Sequence, residues 1–299
     1  MRVRNAHVPL YAAGLALIMA AAVTGCAAKS SSATGTGGSS APAQVTPLEA
    51  VKLAAHTSRN ATSFTGTMSM QLTVKPGAAS AAGDAGSMNL TATFAERLHP
   101  SLLARVDFTS WTVQGASMPG GMSGMAEIVT PTAIYLKWPY LTQMAHLTKP
   151  WLDVPLSAFA KSSGVNISQL MNQATGNSPL AQTQMMAAAT SVREVGTGTI
   201  DGTPVTEYTG TIPLDKALAY LTGSTKIAME QQLAAKDLSH ERFTVWIDGQ
   251  HVTRKAVVTL TGKSISETVT MTITSLNKPV DVAVPSAGQT SPLPAGALG

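Results

Sequence analysis

The sequence contains one cysteine, few aromatic residues and few charges. Cys26 is the single cysteine among 299 residues, so an intramolecular disulfide is excluded and a buried core must stabilise the fold. Charged residues make up 12% of the chain, about half the usual share, and the formal net charge is only +4. Lysine and arginine form no cluster anywhere in the sequence. We therefore expect no binding to nucleic acid.

Signatures of catalytic sites are also missing. The chain has no G-x-S-x-G, no H-E-x-x-H and no paired Cys/His spacing of a metal site. Ser275 and Lys278 fit the S-x-x-K pattern of penicillin-recognising enzymes, but there the serine begins a helix, whereas Ser275 is expected to end a strand. Ser239, His240 and Glu241 are consecutive, and neighbouring side chains point to different faces. We expect a protein that is not an enzyme and has no cofactor.

Three methionines in a Gly-rich segment are the best candidates for metal ligands. Met118, Met122 and Met125 carry thioethers, which suit Cu(I). The alternative is a soft apolar loop, because no histidine or cysteine accompanies them and glycines separate them. The pattern favours the loop, and we predict no metal site.

The first 26 residues have the organisation of an export signal. Arg2, Arg4 and His7 precede an apolar segment from Leu10 to Val23, which is too short for a stable membrane helix. The final letters VTGC, ending at Cys26, resemble the lipobox of bacterial lipoproteins, in which the cysteine is acylated and becomes the first mature residue. An ordinary secretory signal that happens to contain a cysteine is the alternative.

This organisation predicts four segments. Residues 1–25 form a lipoprotein signal peptide, 26–45 a disordered Ser/Gly tether, 46–285 a single domain and 286–299 a disordered tail. Acylation of Cys26 attaches the protein to the membrane at its extracytoplasmic face, because two or more acyl chains anchor stably where one does not. No second apolar run reaches the roughly 18 residues that a membrane span needs. We expect a monomer.

Apolar and polar residues alternate through much of the region between residues 64 and 113. This period of two predicts half-buried antiparallel strands, with a Thr/Ser ladder on the polar side of the first. In the third strand the apolar phase changes near Thr109, which predicts a β-bulge. The apolar side of these three strands carries Phe64, Met68, Met70, Leu72, Leu90, Ala92, Phe94, Val106 and Phe108.

The rest of the chain predicts more strands, with helices in two insertions rather than in alternation. Thr46 caps a helix that begins at Pro47. Asp201-Gly202 and Asp248-Gly249 are two-residue hairpin signals. The order of elements favours an α+β fold with a large antiparallel sheet and helices against one face. Further elements are expected as a strand over 127–138, an extended crossing over 140–159, helices over 167–174, 179–190, 214–221 and 226–238, and a last strand over 280–284.

The order of these parts resembles the actinobacterial LolA-like lipoproteins, a superfamily that includes the LolA/LolB carriers and the LppX/LprG-type lipoproteins. The likeness covers about residues 46–285. It is carried by the spacing of YLKWP at 135–139, KPWLD at 149–153, REVG at 193–196 with the following DG, and VWID at 245–248 with Arg254. The resemblance implies a half-barrel, in which helices cover the concave face of a curved antiparallel sheet and acyl chains lie between. It supplies no individual binding residue.

The nine apolar residues of the first three strands therefore have two interpretations. Composition favours a closed core, whereas the resemblance favours the wall of a lipid cavity, for which abundant Met and Ala are suitable. We predict a membrane-anchored lipoprotein that binds a lipid or acylated molecule in an apolar cavity, and that transfers it in one version of the hypothesis. The alternative is a non-catalytic cell-surface lipoprotein with a closed core and a protein partner in the envelope.

Overall fold

The computed structural model describes residues 45–75, 86–114, 124–144, 146–163, 183, 185–218, 240–263 and 265–292. The elements within these ranges are four α-helices, one 3-10 helix (Met186–Ala188) and twelve strands. The helices are α1 (Pro47–Arg59), α2 (Pro139–Met144), α3 (Leu156–Ser163) and α4 (Leu214–Ala217). The strands are β1 (Ser63–Val74), β2 (Gly86–Arg97), β3 (Leu103–Gln114), β4 (Ala126–Val129), β5 (Ala133–Lys137), β6 (Trp151–Pro155), β7 (Ser191–Ile200), β8 (Thr203–Pro213), β9 (His240–Asp248), β10 (Thr253–Thr261), β11 (Ile265–Leu276) and β12 (Thr290–Pro292).

The twelve strands form one open sheet in the order β12-β6-β5-β4-β3-β2-β1-β11-β10-β9-β8-β7. All the neighbouring pairs are antiparallel except β12 and β6, which are parallel. Strand β1 therefore lies inside the sheet and joins the first half of the chain to β11 from the second half. The predicted α+β fold, a large and mainly antiparallel half-barrel sheet with helices, is confirmed.

Helix α1 begins where the sequence predicts. The Thr46 side-chain oxygen accepts a hydrogen bond from the Glu49 backbone N–H at 3.3 Å, and Pro47 occupies the first helical turn. The buried stripe of the helix contains Ala50, Val51, Ala54, Ala55 and Ser58. It packs on the sheet face that carries Phe64, Met68 and Met70. We call this the inner face, and the opposite side the outer face.

The backbone confirms the predicted β-bulge. The pairing of β2 with β3 passes from Thr91 opposite Ser110 to Ala92 opposite Phe108, which leaves Thr109 as the extra residue. This extra residue allows Phe108 and Trp111, three positions apart, to lie on the same face as Ala92 and Leu90.

One predicted hairpin turn is confirmed and the other is wrong. Asp201 and Gly202 connect β7 to β8 with φ values of 47° and 76°, as a two-residue turn of this hand requires. The connection after Asp248 is four residues long, and there His251 rather than Gly249 has a positive φ, of 56°. The Asp248 carboxylate imposes this loop, because it accepts hydrogen bonds from the backbone N–H groups of Gln250 and Val252, both at 2.9 Å.

Two predicted extended segments are divided differently in the structure. The expected strand over 127–138 is the hairpin of β4 and β5, whose turn is held by Thr130: its Oγ1 accepts from the Ala133 N–H at 3.0 Å. The expected crossing over 140–159 contains α2, β6 and the start of α3. Short elements of four to six residues carry too little periodicity to be separated from sequence alone.

The predicted last strand is wrong, because residues 280–284 form no strand, although Val282 is buried. Within the segment predicted as a tail, the structure has the short strand β12. The backbone N–H of Trp151 donates to the Gln289 carbonyl at 3.2 Å, and β12 then pairs with β6. This pairing depends on a distant strand edge, which the local composition of the tail does not reveal.

Several other predictions lie outside the described residues. These include the signal peptide, Cys26, most of the tether, Met118, Met122, the helices over 167–174 and 226–238, and residues 293–299. Within the described ranges, no helix has the length and apolar character needed to span a bilayer.

Candidate ligand-binding face

The structure brings all nine predicted wall residues to the inner face. In the register of the three strands, Met68 lies opposite Ala92, and Ala92 opposite Phe108. One step away, Gly66 lies opposite Phe94, and Phe94 opposite Val106. Alternation therefore identified a continuous apolar surface across β1, β2 and β3.

Glycine makes room for an aromatic ring at two places on this face. A Cβ atom on Gly66 would lie 2.6 Å from Cζ of Phe94, whose ring also packs edge-on against Phe64 with centroids 5.5 Å apart. In the second half of the sheet, a Cβ on Gly210 would lie 2.6 Å from Cζ of Phe243. Each phenyl ring thus lies over the glycine directly opposite it on the neighbouring strand.

The inner face has a closed zone. Six of the nine predicted residues are buried. Five of them, all except Ala92, pack in one cluster with residues of α1 and of the second half of the sheet, among them Ile212, Phe243 and Met271. The buried six are Phe64, Met68, Met70, Leu90, Ala92 and Phe94.

The same face also has a partly exposed zone. The other three predicted residues, Leu72, Val106 and Phe108, retain intermediate exposure. Phe108 is also part of an aromatic cluster that the alternating pattern does not reveal. This aromatic cluster consists of Met125, Trp138, Phe108, Trp111, Leu136, Tyr140 and Leu141.

Two polar groups, those of Trp111 and Glu127, lie on this apolar zone. The Trp111 indole nitrogen is buried and makes no hydrogen bond. Glu127 lies opposite Val106 on β3 and Leu136 on β5, so its side chain belongs to the inner face. Burial raises the pKa of Glu127 to about 7. The side chain nevertheless keeps intermediate exposure, as expected for a group that lines a narrow space rather than a packed core.

A second buried carboxyl group lies on the inner face in the other half of the sheet. Glu241 lies opposite Leu260 on β10 and Ile212 on β8. Burial, together with the negative charge of Glu267, raises the pKa of Glu241 to about 7. Glu267 lies opposite Leu260 from the other side. Inward-facing acids are therefore found in both halves of the sheet.

These two carboxyl groups predict a pH dependence of stability. The free energy of unfolding should fall as pH rises from about 4.5 to 7, because Glu127 and Glu241 keep their protons in the folded protein and lose them in the unfolded chain. Below pH 4.5 both groups are protonated in the folded and the unfolded state, so their full contribution to stability is present there. Urea unfolding between pH 4 and 8 measures the slope. Glu127→Gln should make it shallower, whereas Glu49→Gln, at an exposed position on α1, should leave it unchanged.

The outer face carries a separate apolar cluster under the C-terminal segment. Ala126, Ile128, Trp151 and Val282 form its buried part, and Tyr135 packs against it. The chain after β11 therefore serves as the cover of this side of β4 to β6. The cluster has no part in the inner face, because residues 126 and 128 alternate with Glu127.

Within the described residues, neither the Ser275/Lys278 pattern nor the run from Ser239 to Glu241 has the geometry of a catalytic site. Ser275 lies in β11, and its hydroxyl shares a hydrogen bond with Thr65 at 2.7 Å, while Lys278 is exposed beyond the strand. Glu241 is buried on the inner face, and the side chain of His240 is outside the described set. No group of three potential His, Cys, Asp or Glu metal ligands occurs in the described ranges, and Met125 packs against Trp138.

Two open clefts lie away from the predicted wall residues. One, of about 540 Å³, is beside α2 and is lined by Lys137, Thr142 and His146 among others. The other, of about 460 Å³, lies between the start of α1 and the loop after Asp248. Neither includes a residue of the nine.

Comparison with solved structures gives low identities over most of the chain. The lipoprotein LppX of Mycobacterium tuberculosis is 22% identical, with 79% of this chain and 97% of LppX covered and a TM-score of 0.42. LprF from Mycobacterium bovis is 11% identical, with 81% and 97% covered and a TM-score of 0.49. A LolA superfamily protein from Nitrosomonas europaea is 10% identical, with 83% and 98% covered and a TM-score of 0.28.

At these identities and TM-scores the similarity does not extend to a ligand or an activity. No protein-family model and no curated protein sequence matches the chain.

Proposed function

We propose that the inner face binds the apolar part of a lipid or acylated molecule, and that acylated Cys26 holds the protein at the extracytoplasmic face of the cell membrane. The protein performs no reaction in this proposal; it holds its ligand and can pass it on. The partly exposed zone of β1 to β5 is the place of binding. The solved structures described above do not bear on the ligand.

The observation that carries this proposal is the partial exposure of apolar side chains around the Glu127 carboxyl group. Val106, Phe108 and Trp111 retain intermediate exposure, although Ala92 and Phe94 on the neighbouring strand are buried. Glu127 lies among them and is enclosed enough for its pKa to rise to about 7. A surface of this kind is typical of a ligand site lined mainly by apolar side chains with a few polar groups.

A second candidate function is a surface lipoprotein with a closed core and a protein partner in the envelope. It is favoured by the burial of six of the nine predicted wall residues, including Phe64 with no exposed surface. In this version the inner face only stabilises the fold. The two candidates differ in whether a lipid accompanies the protein.

Mass spectrometry of the purified protein separates them. The full chain carrying Cys26→Ser, purified without detergent, should contain a co-purified lipid in stoichiometric amount. Recovery of lipid-free protein that also fails to take up a fluorescent fatty acid would contradict lipid binding and favour the closed core. Native mass spectra of the same sample report the oligomeric state.

The anchor is tested by the same substitution in cells. Cys26→Ser should leave the fold intact but release the protein from membranes or stall its processing, because the sequence places Cys26 before the folded domain. Partition into detergent, together with intact mass, measures the loss of acylation. A Cys26→Ser protein that still partitions like the wild type would contradict the lipobox interpretation.

A further inference from the structure

The inner face of β1 to β5 differs from an ordinary apolar core in its polar content. Among the described residues of these strands, the inward-facing positions include Glu96 and Glu127 but no lysine or arginine. The basic residues of β3 and β5, Arg105 and Lys137, lie in register with outward-facing positions. Among the described inward-facing residues of these strands, there is therefore no lysine or arginine that could bind an anionic headgroup.

Trp111 adds a hydrogen-bond donor to the surface. Its Nε1 is buried and has no partner in the protein, which is a costly state for a polar group. The indole packs against the cluster of Met125 and Trp138, so an apolar environment surrounds the donor. A ligand oxygen placed on this face would satisfy it, whereas an alkyl chain would not.

We propose that this zone selects ligands with an uncharged polar group: Trp111 Nε1 donates a hydrogen bond to a hydroxyl, ether or ester oxygen, and Glu127 excludes anionic groups. This inference rests on the proposed lipid binding and names the chemistry of the ligand's polar end. A hydroxyl can accept from Trp111, and an uncharged group is tolerated beside Glu127 in either protonation state. A carboxylate or phosphate meets repulsion once Glu127 ionises.

Few other charged groups among the described residues surround Glu127, so its own charge should determine how anion binding at this surface depends on pH. Its cross-strand neighbours Val106 and Leu136 are uncharged. The other described titratable groups on this side are Tyr140 in the aromatic cluster and Glu96, which lies opposite Ala104 two strands away. Burial is the cause of the raised pKa of Glu127, so discrimination against anions should grow as pH rises through about 7.

A matched set of probes tests this inference on the full chain carrying Cys26→Ser. The probes are dodecyl chains with pyrene at one end and a methyl, hydroxyl or carboxylate group at the other. At pH 8 the alcohol should bind about fivefold to tenfold more tightly than the alkane, the change produced by one hydrogen bond of about 1 to 1.4 kcal/mol. The carboxylate should bind at least tenfold more weakly than the alcohol at pH 8, with a smaller difference at pH 5.5.

Two conservative variants identify the groups responsible. Trp111→Phe should bring the ratio of alcohol affinity to alkane affinity to about one, whatever its effect on the alkane affinity itself. Glu127→Gln should remove the pH-dependent part of the discrimination against the carboxylate. Trp151→Phe, at a buried indole of the outer face, is the matched control and should change neither ratio. Melting temperatures of all variants show whether each remains folded.

The outcomes separate this inference from the proposed function. If the wild type binds all three probes equally and the variants behave like it, lipid binding stands and the polar selection is wrong. If the wild type binds none of the probes, both are wrong. If Trp111→Phe does not fold, the comparison of the three probes on wild type and Glu127→Gln still decides, because equal affinities for alcohol and alkane would overturn the role of Trp111.

Discussion

Gly66→Val is expected to lower the free energy of unfolding by more than about 3 kcal/mol, at the upper end of the cost of overpacking a core. A Cβ at this position would collide with the Thr272 carbonyl oxygen of β11 and with the Phe94 ring, at 2.6 Å from Cζ. The ring could rotate only by disturbing Phe64, and the carbonyl belongs to the backbone of the neighbouring strand. Relief therefore requires a shift between β1 and β11, where the two halves of the chain meet. Urea unfolding followed by circular dichroism measures the loss.

Gly198→Val is the matched control for this substitution. Gly198 also lies in a strand, β7, but no atom lies within 4 Å of the position that its Cβ would take. Its valine variant should be as stable as the wild type or slightly more so, since valine favours strands. Equal effects at the two positions would show that β1 and β11 are not closely packed at Gly66.

Phe243→Ala is expected to cost about 3–5 kcal/mol, the usual range for removing a buried phenyl ring. Phe243 is 2% exposed and packs in the main cluster with Val245 and Ile212, while its ring covers Gly210. The cavity left by alanine cannot be filled locally, because the opposite residue has no side chain. Equilibrium unfolding gives the value.

A second variant at position 243 tests whether the loss of stability comes from the lost apolar volume. Phe243→Leu retains most of the apolar volume and should cost less than about half as much as alanine. Val195→Ala, at a position 48% exposed on β7, should have little effect. A loss below about 1 kcal/mol for Phe243→Ala would indicate that this half of the inner face is loosely packed.

The sequence predicts the strands in which apolar and polar residues alternate over many consecutive positions. Residues Phe64 to Val74 alternate cleanly, and the phase change at Thr109 is visible because the apolar residues on both sides of it are numerous. The loop after Asp248 could not be predicted from its Asp-Gly pair, because the carboxylate bonds to two backbone N–H groups further along the loop. The pairing of β12 with β6 could not be predicted either, because the two strands are more than 130 residues apart in the sequence.

The residues of the candidate site likewise include some that the sequence predicts and some that it does not. The nine apolar residues were found because they repeat at every second position, and the structure places them on one face. Glu127 was missed because it stands between Ala126 and Ile128, which suggest the opposite phase for β4. Trp111 was assigned to its strand, but the lack of a partner for its indole nitrogen is a property of three-dimensional packing. The apolar pattern of the sequence thus located the inner face, whereas its polar groups became visible only in the three-dimensional structure.

The open sheet has two edge strands, β12 and β7. An exposed strand edge is a template for pairing with another chain, and proteins protect such edges with charges, bulges, short strands and proline. The β12 edge is only three residues long and ends with Pro292. The β7 edge carries Arg193 and Glu194, with an irregular register next to them at Val195. Both edges therefore resist sheet-to-sheet aggregation, and this protection would matter most if the proposed acylation of Cys26 held many copies of the protein on one surface.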